Sequence, residues 1–185
     1  MKETFEAMLK HMAWADRRIG AALAESGDGA PSGGAADADG AQAGGVQAAG
    51  AKERGTDGAG TEADALHAEA VRLYAHIVSA ETIWISRLTG NENLPVPVFP
   101  DWDLAEARAR SEETLAKYER FLAADPDFRR IVEYKTSGGV PHRTAAADIL
   151  THVFLHGSHH RGQINARLRG AGRTPPNVDY ITFAR

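Results

Sequence analysis

The apolar residues of the chain recur at helical spacing in four separate stretches. Such stripes predict amphipathic helices over about Lys2 to Glu25, Glu62 to Leu88, Asp103 to Ala124 and Thr144 to Arg169. In the first stretch, the stripe consists of Phe5, Met8, Leu9, Met12, Ile19 and Leu23. Gly90 follows the second stretch and Gly170 the fourth, as expected where a helix ends. Thr144 is predicted to cap the fourth helix.

The connections between these helices differ in character. Residues 91–100 form a proline-rich link, and Asp103 with Glu106 has the spacing of a helix-capping pair. Residues 131–143 are β-prone and contain a glycine turn, so they form either a small hairpin or an extended loop. Four long helices with few strand signals predict an all-α fold, an antiparallel four-helix bundle, as one domain over residues 1–185.

Residues 26–61 have a different composition from the rest of the chain. More than half of them are glycine or alanine, none is aromatic, and Val46 is their only large apolar side chain. Such a segment buries too little apolar surface to offset the entropy lost on ordering its backbone. We therefore predict a flexible, disordered insertion between the first and second helices, and assign it no function.

Composition narrows the classes of function. The 185 residues carry a net charge of −4, so no nucleic-acid partner is expected. The sequence shows no apolar run long enough for a membrane span and no signal-peptide pattern, so a cytoplasmic protein with no membrane partner is expected. The chain has no cysteine, which excludes disulfides and a thiol nucleophile of its own. Any transition-metal site must therefore use nitrogen and oxygen ligands.

Half of the eight histidines lie within residues 152–160. His156 and His160 are four residues apart, which places them on one helix face, in the middle of the apolar stripe. Two inward imidazoles are hard to satisfy with hydrogen bonds in an apolar core, and their charged forms would repel each other. Binding one metal ion to both rings removes both problems, so metal ligation is favoured over a structural pair or a metal-free catalytic role.

A third ligand has to come from another part of the chain. His76 lies in the middle of the second helix, beside its apolar stripe, and is the preferred candidate. His152 remains an alternative. His11 lies off the first helix's stripe and is predicted to face solvent, while His67 lies near a helix start; His142 completes the candidates.

Other polar and aromatic residues near these stripes have structural interpretations, and some have a functional one as well. Asp16 lies on an apolar stripe, where it either pairs with a neighbouring helix or accepts a hydrogen bond from a metal-bound histidine. For Arg161 a structural salt bridge is favoured, and for Glu81 an ion pair with Arg161 or another helix rather than metal ligation. Gln163 either contacts a ligand ring or substrate, or fills the core. Trp14 is predicted to pack on the C-terminal tail or a second subunit, and Trp84 in the core.

Three stretches resemble the DinB/YfiT-like superfamily of small metal-binding helical bundles. The fourth helix carries the most specific match, His156-Gly-Ser-His159-His160-Arg161-Gly-Gln163, which is similar to the family's His-x3-His-Arg-x-Gln pattern. The second helix carries a histidine, a glutamate and a tryptophan in the family's order, and the first has a Trp-Ala-Asp element. The low-complexity insertion departs from the family's pattern.

The resemblance implies a divalent metal held by His76, His156 and His160, with open positions for water or substrate. Zinc, nickel, iron and manganese are not distinguished. It also implies a small-molecule substrate, with a low-molecular-weight thiol as cosubstrate of a metal-dependent S-transferase, and allows a homodimer. A metal-dependent hydrolase and a non-catalytic, stress-associated metal-binding bundle are the alternatives. A purely structural bundle would bind no metal.

Overall fold

The predicted stripes correspond to helices in a computed structural model, which describes residues 1–25, 56–91, 96–136 and 138–185. The long helices are α1 (Lys2–Ala24), α2 (Thr56–Leu88), α3 (Leu104–Ala123) and α4 (Ala146–Gly170). A short helix, α5 (Tyr180–Ala184), lies at the C-terminus. The described part of the chain is therefore mainly helical, as the all-α prediction required. None of its helices is long and apolar enough to cross a membrane.

Two of the predicted helix starts need correction. Helix α2 begins at Thr56 rather than Glu62, so residues 56–61 belong to the helix and not to the predicted disordered insertion. Once a helix is nucleated, each added residue gains a hydrogen bond, which lets the helix continue through glycines. The rest of the insertion, residues 26–55, lies outside the described residues.

The second correction concerns Thr144, which was predicted to cap α4. It lies instead in a strand, and α4 begins two residues later with Ala145 as a cap that makes no side-chain hydrogen bond. Thr144 pairs with Val132 of the opposing strand, and its hydroxyl lies 3.2 Å from the Tyr134 hydroxyl. Pairing with a distant strand therefore overrides the local capping signal.

The β-prone region forms a hairpin rather than an extended loop. Strands β1 (Ile131–Lys135) and β2 (Pro141–Ala145) are antiparallel, with Ile131 opposite Ala145 and Lys135 opposite Pro141. The hairpin contacts α2 through β1 and α4 through β2. It therefore lies where α4 begins.

Other predicted helix ends agree with the structure. The Asp103 side chain accepts a hydrogen bond of 2.8 Å from the backbone N–H of Glu106 at the start of α3. At the end of α2, Gly90 has a φ of +79°, and the next N–H donates back to the carbonyl of Ser86. A left-handed residue of this kind favours glycine and terminates the helix.

Helix α2 contacts both α3 and α4, and α1 contacts α3, α4 and α2. Their apolar faces form two buried clusters. One includes Phe5, Leu115 and Ile149 beside the hairpin, and the other includes Ile19, Ile77 and Ile164. These contacts fix α2 and α4 side by side, which brings histidines that are far apart in the sequence together.

Candidate metal centre

Three histidine rings converge between α2 and α4. His76 extends from α2, while His156 and His160 extend from successive turns of α4. One ring nitrogen from each can be chosen so that all three nitrogens lie within 4.8 Å of one another. The ring centroids are 4.5 Å apart for His156 and His160, 4.7 Å for His76 and His160, and 5.1 Å for His76 and His156. The structure thus brings together the three residues that the sequence singled out.

The two α4 rings face each other through their Nε2 atoms, which are 3.1 Å apart. Two nitrogens bound to one tetrahedral zinc ion, at the usual bond length, are separated by about 3.3 Å. Without an ion, the same separation permits one ring to donate an N–H to the other. The two rings would therefore need to move little to bind a cation in place of the proton that they can share.

His76 is held in place by the segment that follows α2. Its Nδ1 lies 2.7 Å from the carbonyl oxygen of Val98, so Nδ1–H donates and Nε2 keeps its lone pair for a ligand. The ring also stacks on Phe99, with centroids 4.2 Å apart and planes 10° from parallel. His76 is only 5% exposed, so this orientation is fixed by its surroundings.

His160 is oriented by its own helix. Its Nδ1 lies 2.8 Å from the side-chain oxygen of Gln163, which accepts the N–H and again leaves Nε2 free. The Gln163 amide nitrogen lies 3.1 Å from Nε2 of His159. Gln163 thus contacts a candidate ligand ring, one of the two roles that the sequence left open.

The surroundings favour the neutral form of the two α4 imidazoles. Burial, and then the neighbouring His160 and His76 rings, together lower the pKa of His156 to about 4. Burial also lowers the pKa of His160, although its hydrogen bond with Gln163 opposes that change. Neutral imidazole is the form that binds metals, so proton competition is weak at neutral pH.

The other histidines lie outside this cluster. His152, the alternative third ligand, is exposed, and its ring packs between Trp84 and His156. His67 lies 3.0 Å from the guanidinium of Arg173, and His142 stacks on Tyr134.

Two sequence-based placements were wrong. His11 was predicted to face solvent, yet it is half-buried and its Nε2 donates to the carbonyl of Val178 at 2.9 Å. The C-terminal segment covers this side of α1, and there Trp14 packs on Phe183 of the tail as predicted. Trp84 is half-buried rather than fully in the core, with the guanidinium of Arg87 over its ring.

A second polar cluster lies beside the histidines. Arg161 follows His160 in sequence and donates from Nη1 to Oδ1 of Asp16 on α1 at 2.7 Å. This confirms the salt bridge predicted for Arg161 and decides the role of Asp16, which pairs with another helix rather than with a metal-bound ring. Gly157 leaves room for the guanidinium, since a Cβ there would lie 2.9 Å from Nη1.

Glu81 is buried beside this ion pair without a hydrogen bond. Both of its carboxyl oxygens lack a partner, so the predicted ion pair with Arg161 is not a direct contact. Burial raises the pKa of Glu81 well above its usual range, and the Asp16 charge adds to the rise while Arg161 opposes it. Burial therefore favours the neutral form of Glu81, and the ion pair of this cluster is the one between Asp16 and Arg161.

Val98 and Phe99 were not predicted to be parts of the site. Both belong to the proline-rich link after α2, and the carbonyl and ring that contact His76 carry no motif of their own. Only the Val-Pro-Val-Phe composition, apolar in an otherwise polar connection, hinted at a packed segment.

The order of histidine, glutamate and tryptophan on α2, and of paired histidines, arginine and glutamine on α4, agrees with a wider family pattern. A sequence model of the DinB family matches residues 62–185, which is more than half of the chain. This chain is a member of the DinB family. The DinB match includes all three clustered histidines and excludes α1 with Asp16. No curated protein matches the chain in a sequence search.

Proposed function

We propose that this DinB-family chain binds one divalent metal ion through His76, His156 and His160 and uses it as a low-molecular-weight-thiol S-transferase. The observation that carries the proposal is a set of three imidazoles that converge, with the Nε2 atoms of His76 and His160 already oriented by hydrogen bonds at Nδ1. Three protein ligands with open positions are typical of catalytic sites, whereas structural zinc sites have four.

The composition of the cluster favours a thiol as the bound nucleophile. Among the described residues, no carboxylate belongs to the ligand cluster. A divalent ion there would keep its full charge, attract an anion and lower the pKa of a bound thiol or water. The chain has no cysteine, so the thiol would have to be a separate molecule.

In the proposed transfer, the thiol loses its proton to solvent and its sulfur forms a bond to an electrophilic carbon. The bond from that carbon to its leaving group breaks, and the leaving group departs with the electron pair. The protein's contribution is orientation. The Val98 carbonyl and the Gln163 amide oxygen fix two imidazoles, while Asp16 is engaged by Arg161 and does not act as a base at the site.

We also infer that the four long helices form an antiparallel bundle within one domain and that the protein works in the cytoplasm. The contacts of α1 with α2, α3 and α4 support the bundle. A homodimer is a further proposal that rests on the family resemblance.

Metal analysis tests the first part of the proposal. We expect wild-type protein purified without a histidine tag to retain about one divalent ion per chain, and His156→Ala to retain little. Equal, near-zero metal in both proteins would favour a structural bundle and overturn the proposal.

Turnover tests the second part. Metal-loaded protein is incubated with low-molecular-weight thiols and an electrophile such as monochlorobimane or an epoxide. We expect conjugate formation above the rate without enzyme that is lost in His156→Ala. Metal-dependent ester or amide hydrolysis instead would indicate a hydrolase, and bound metal with no turnover would indicate a non-catalytic metal-binding protein.

A further inference from the structure

Phe99 is exposed although it lies directly against the metal centre. Its side chain is 62% exposed, and that of its neighbour Val98 is 39% exposed. Single exposed apolar residues are common on protein surfaces and need no explanation. Phe99 differs because it is, among the exposed large apolar residues of the described chain, the one that stacks on a ring of the histidine cluster.

The position of Phe99 is fixed from both sides. The buried Ser79 donates a hydrogen bond to the carbonyl of Pro97, and His76 donates one to the carbonyl of Val98. The next residue, Pro100, is buried. Phe99 is thus held on α2 by the same contacts that orient His76, and its exposure does not come from a loosely attached side chain.

The geometry leaves one face of the Phe99 ring for a ligand. The other face covers His76 at a centroid distance of 4.2 Å and nearly parallel planes. Much of the 62% exposure must therefore come from the outer face and the edge. Nε2 of His76 would supply one ligand to a metal ion, and the Phe99 ring lies directly on that imidazole. A molecule bound to the ion on that side would meet this ring.

We propose that Phe99 is a substrate-contacting residue and that the site selects ligands with a flat aromatic or conjugated group next to the atom directed at the metal. Aromatic rings bind flat π systems in offset stacked or edge-to-face arrangements, with an attraction beyond simple apolar contact. This inference rests on the proposed metal site and deepens it by naming the class of molecule that the ion takes up, one with a flat aromatic or conjugated group.

The alternative role of Phe99 is to hold His76 in position. The two roles differ in what a substitution changes. If Phe99 only positions His76, Phe99→Leu should weaken zinc binding and affect all ligands of the metal equally. If Phe99 contacts the ligand, zinc affinity should change little, while discrimination between flat and saturated ligands should be lost.

The test uses benzohydroxamate and cyclohexanecarbohydroxamate, which share a metal-binding group and differ in the flatness of the ring. Their dissociation constants are measured by calorimetry on zinc-loaded protein, after a zinc titration of the metal-free protein. Relative to wild type, we expect Phe99→Leu to lower the preference for the aromatic ligand by about fivefold. Phe99→Trp should keep the preference.

Phe183→Leu is the matched control, because Phe183 packs on Trp14 and His11 at the tail and does not contact the cluster. It should leave the ligand preference unchanged. An unchanged preference in Phe99→Leu, with normal zinc binding, overturns the inference about Phe99 and leaves the metal function intact. Absence of zinc binding in wild type overturns both, and the titration itself reveals it. Should Phe99→Leu fold poorly, the same measurements are made on Phe99→Ser: a lost preference supports the inference, and a retained preference overturns it.

Discussion

Two polar clusters lie next to each other on α4, and they differ in the partners that their buried polar side chains have. Among the described residues the histidine cluster contains no carboxylate, and two of its three rings are half-buried. The Asp16–Arg161 pair is 0% and 2% exposed, and its two side chains are 2.7 Å apart as an ion pair. His160 belongs to the first cluster and Arg161, the next residue, to the second.

The difference lies in what each cluster needs to be satisfied. The guanidinium of Arg161 finds its ionic partner, Asp16, within the chain, so the pair is charge-balanced in the folded protein, while Oδ2 of Asp16 and both oxygens of Glu81 accept no hydrogen bond. The ligand nitrogens of the three histidines lie within 4.8 Å of one another, where an external cation or a shared proton would join them. A polar pair that is balanced within the chain contributes to stability, whereas a cluster without an internal counter-charge is suited to binding.

Removing Arg161 should produce the largest loss of stability. Arg161→Ala leaves Asp16 buried and unpaired, a change that typically costs about 3–5 kcal/mol of unfolding free energy. Denaturant unfolding of the metal-free protein measures it. Arg17→Ala is the control, since its pair with Glu112 is more than half exposed and should cost about 1 kcal/mol or less. Similar losses in both variants would contradict a special role for the buried pair.

His156→Ala should have the opposite effect, a large loss of metal affinity with a small loss of stability. We expect zinc affinity to fall by more than the roughly 100-fold that loss of an outer hydrogen-bond partner of a ligand costs. The metal-free protein should lose little stability, because the ring is half-buried. Thermal unfolding with and without zinc checks both expectations: zinc should raise the Tm of wild type and not that of the variant. A large drop in metal-free Tm would show that His156 is mainly structural.

Gly157→Ala should destabilise the protein through the ion-pair cluster, because Gly157 lies against the Arg161 guanidinium. The new Cβ would lie 2.9 Å from Nη1 of a guanidinium that is fixed by Asp16, and such overpacking costs about 1–3 kcal/mol. Gly162→Ala meets nothing within 4 Å and should gain up to about 1 kcal/mol from helix propensity. Chemical denaturation of both variants gives the difference, and equal stabilities would contradict the close fit around Arg161.

Glu81→Gln should have the smallest effect at acidic pH, where a neutral amide replaces a neutral carboxyl. The raised pKa of Glu81 means that the folded protein holds this proton more tightly than the unfolded chain. Wild-type stability is therefore lost as pH rises above the ordinary carboxyl pKa toward the raised one. Unfolding free energies between pH 5 and 8 should fall more steeply for wild type than for Glu81→Gln. Parallel pH profiles would show that Glu81 is ionised in the folded state.

The helices were predictable from the sequence because their signals are local. Apolar spacing located α1 to within a residue at its C-terminal end, and Asp103 located the start of α3. Thr144 failed as a cap because a strand partner more than ten residues away determined its structure. His11 was misplaced for a similar reason, since the tail that covers it is at the other end of the chain.

The candidate site was also predictable where its signals are local, and not where they depend on the path of the chain. His156 and His160 follow from a four-residue spacing on one helix, and His76 from its depth and from the family resemblance. The hydrogen bond from His76 to Val98 could not be predicted, because any residue supplies a carbonyl oxygen and only the path of the chain brings this one near. The role of Phe99 was not predicted, because its exposure and its stacking on His76 both depend on the folded structure.

The three convergent histidines join α2 to α4 across the long stretch of chain from residue 76 to residue 156, which includes α3 and the hairpin. An ion at that point would act as a removable crosslink, closing a large loop without a covalent bond. A chelator would then be expected to loosen the packing of these two helices first, so that the stability of the fold would depend on metal supply.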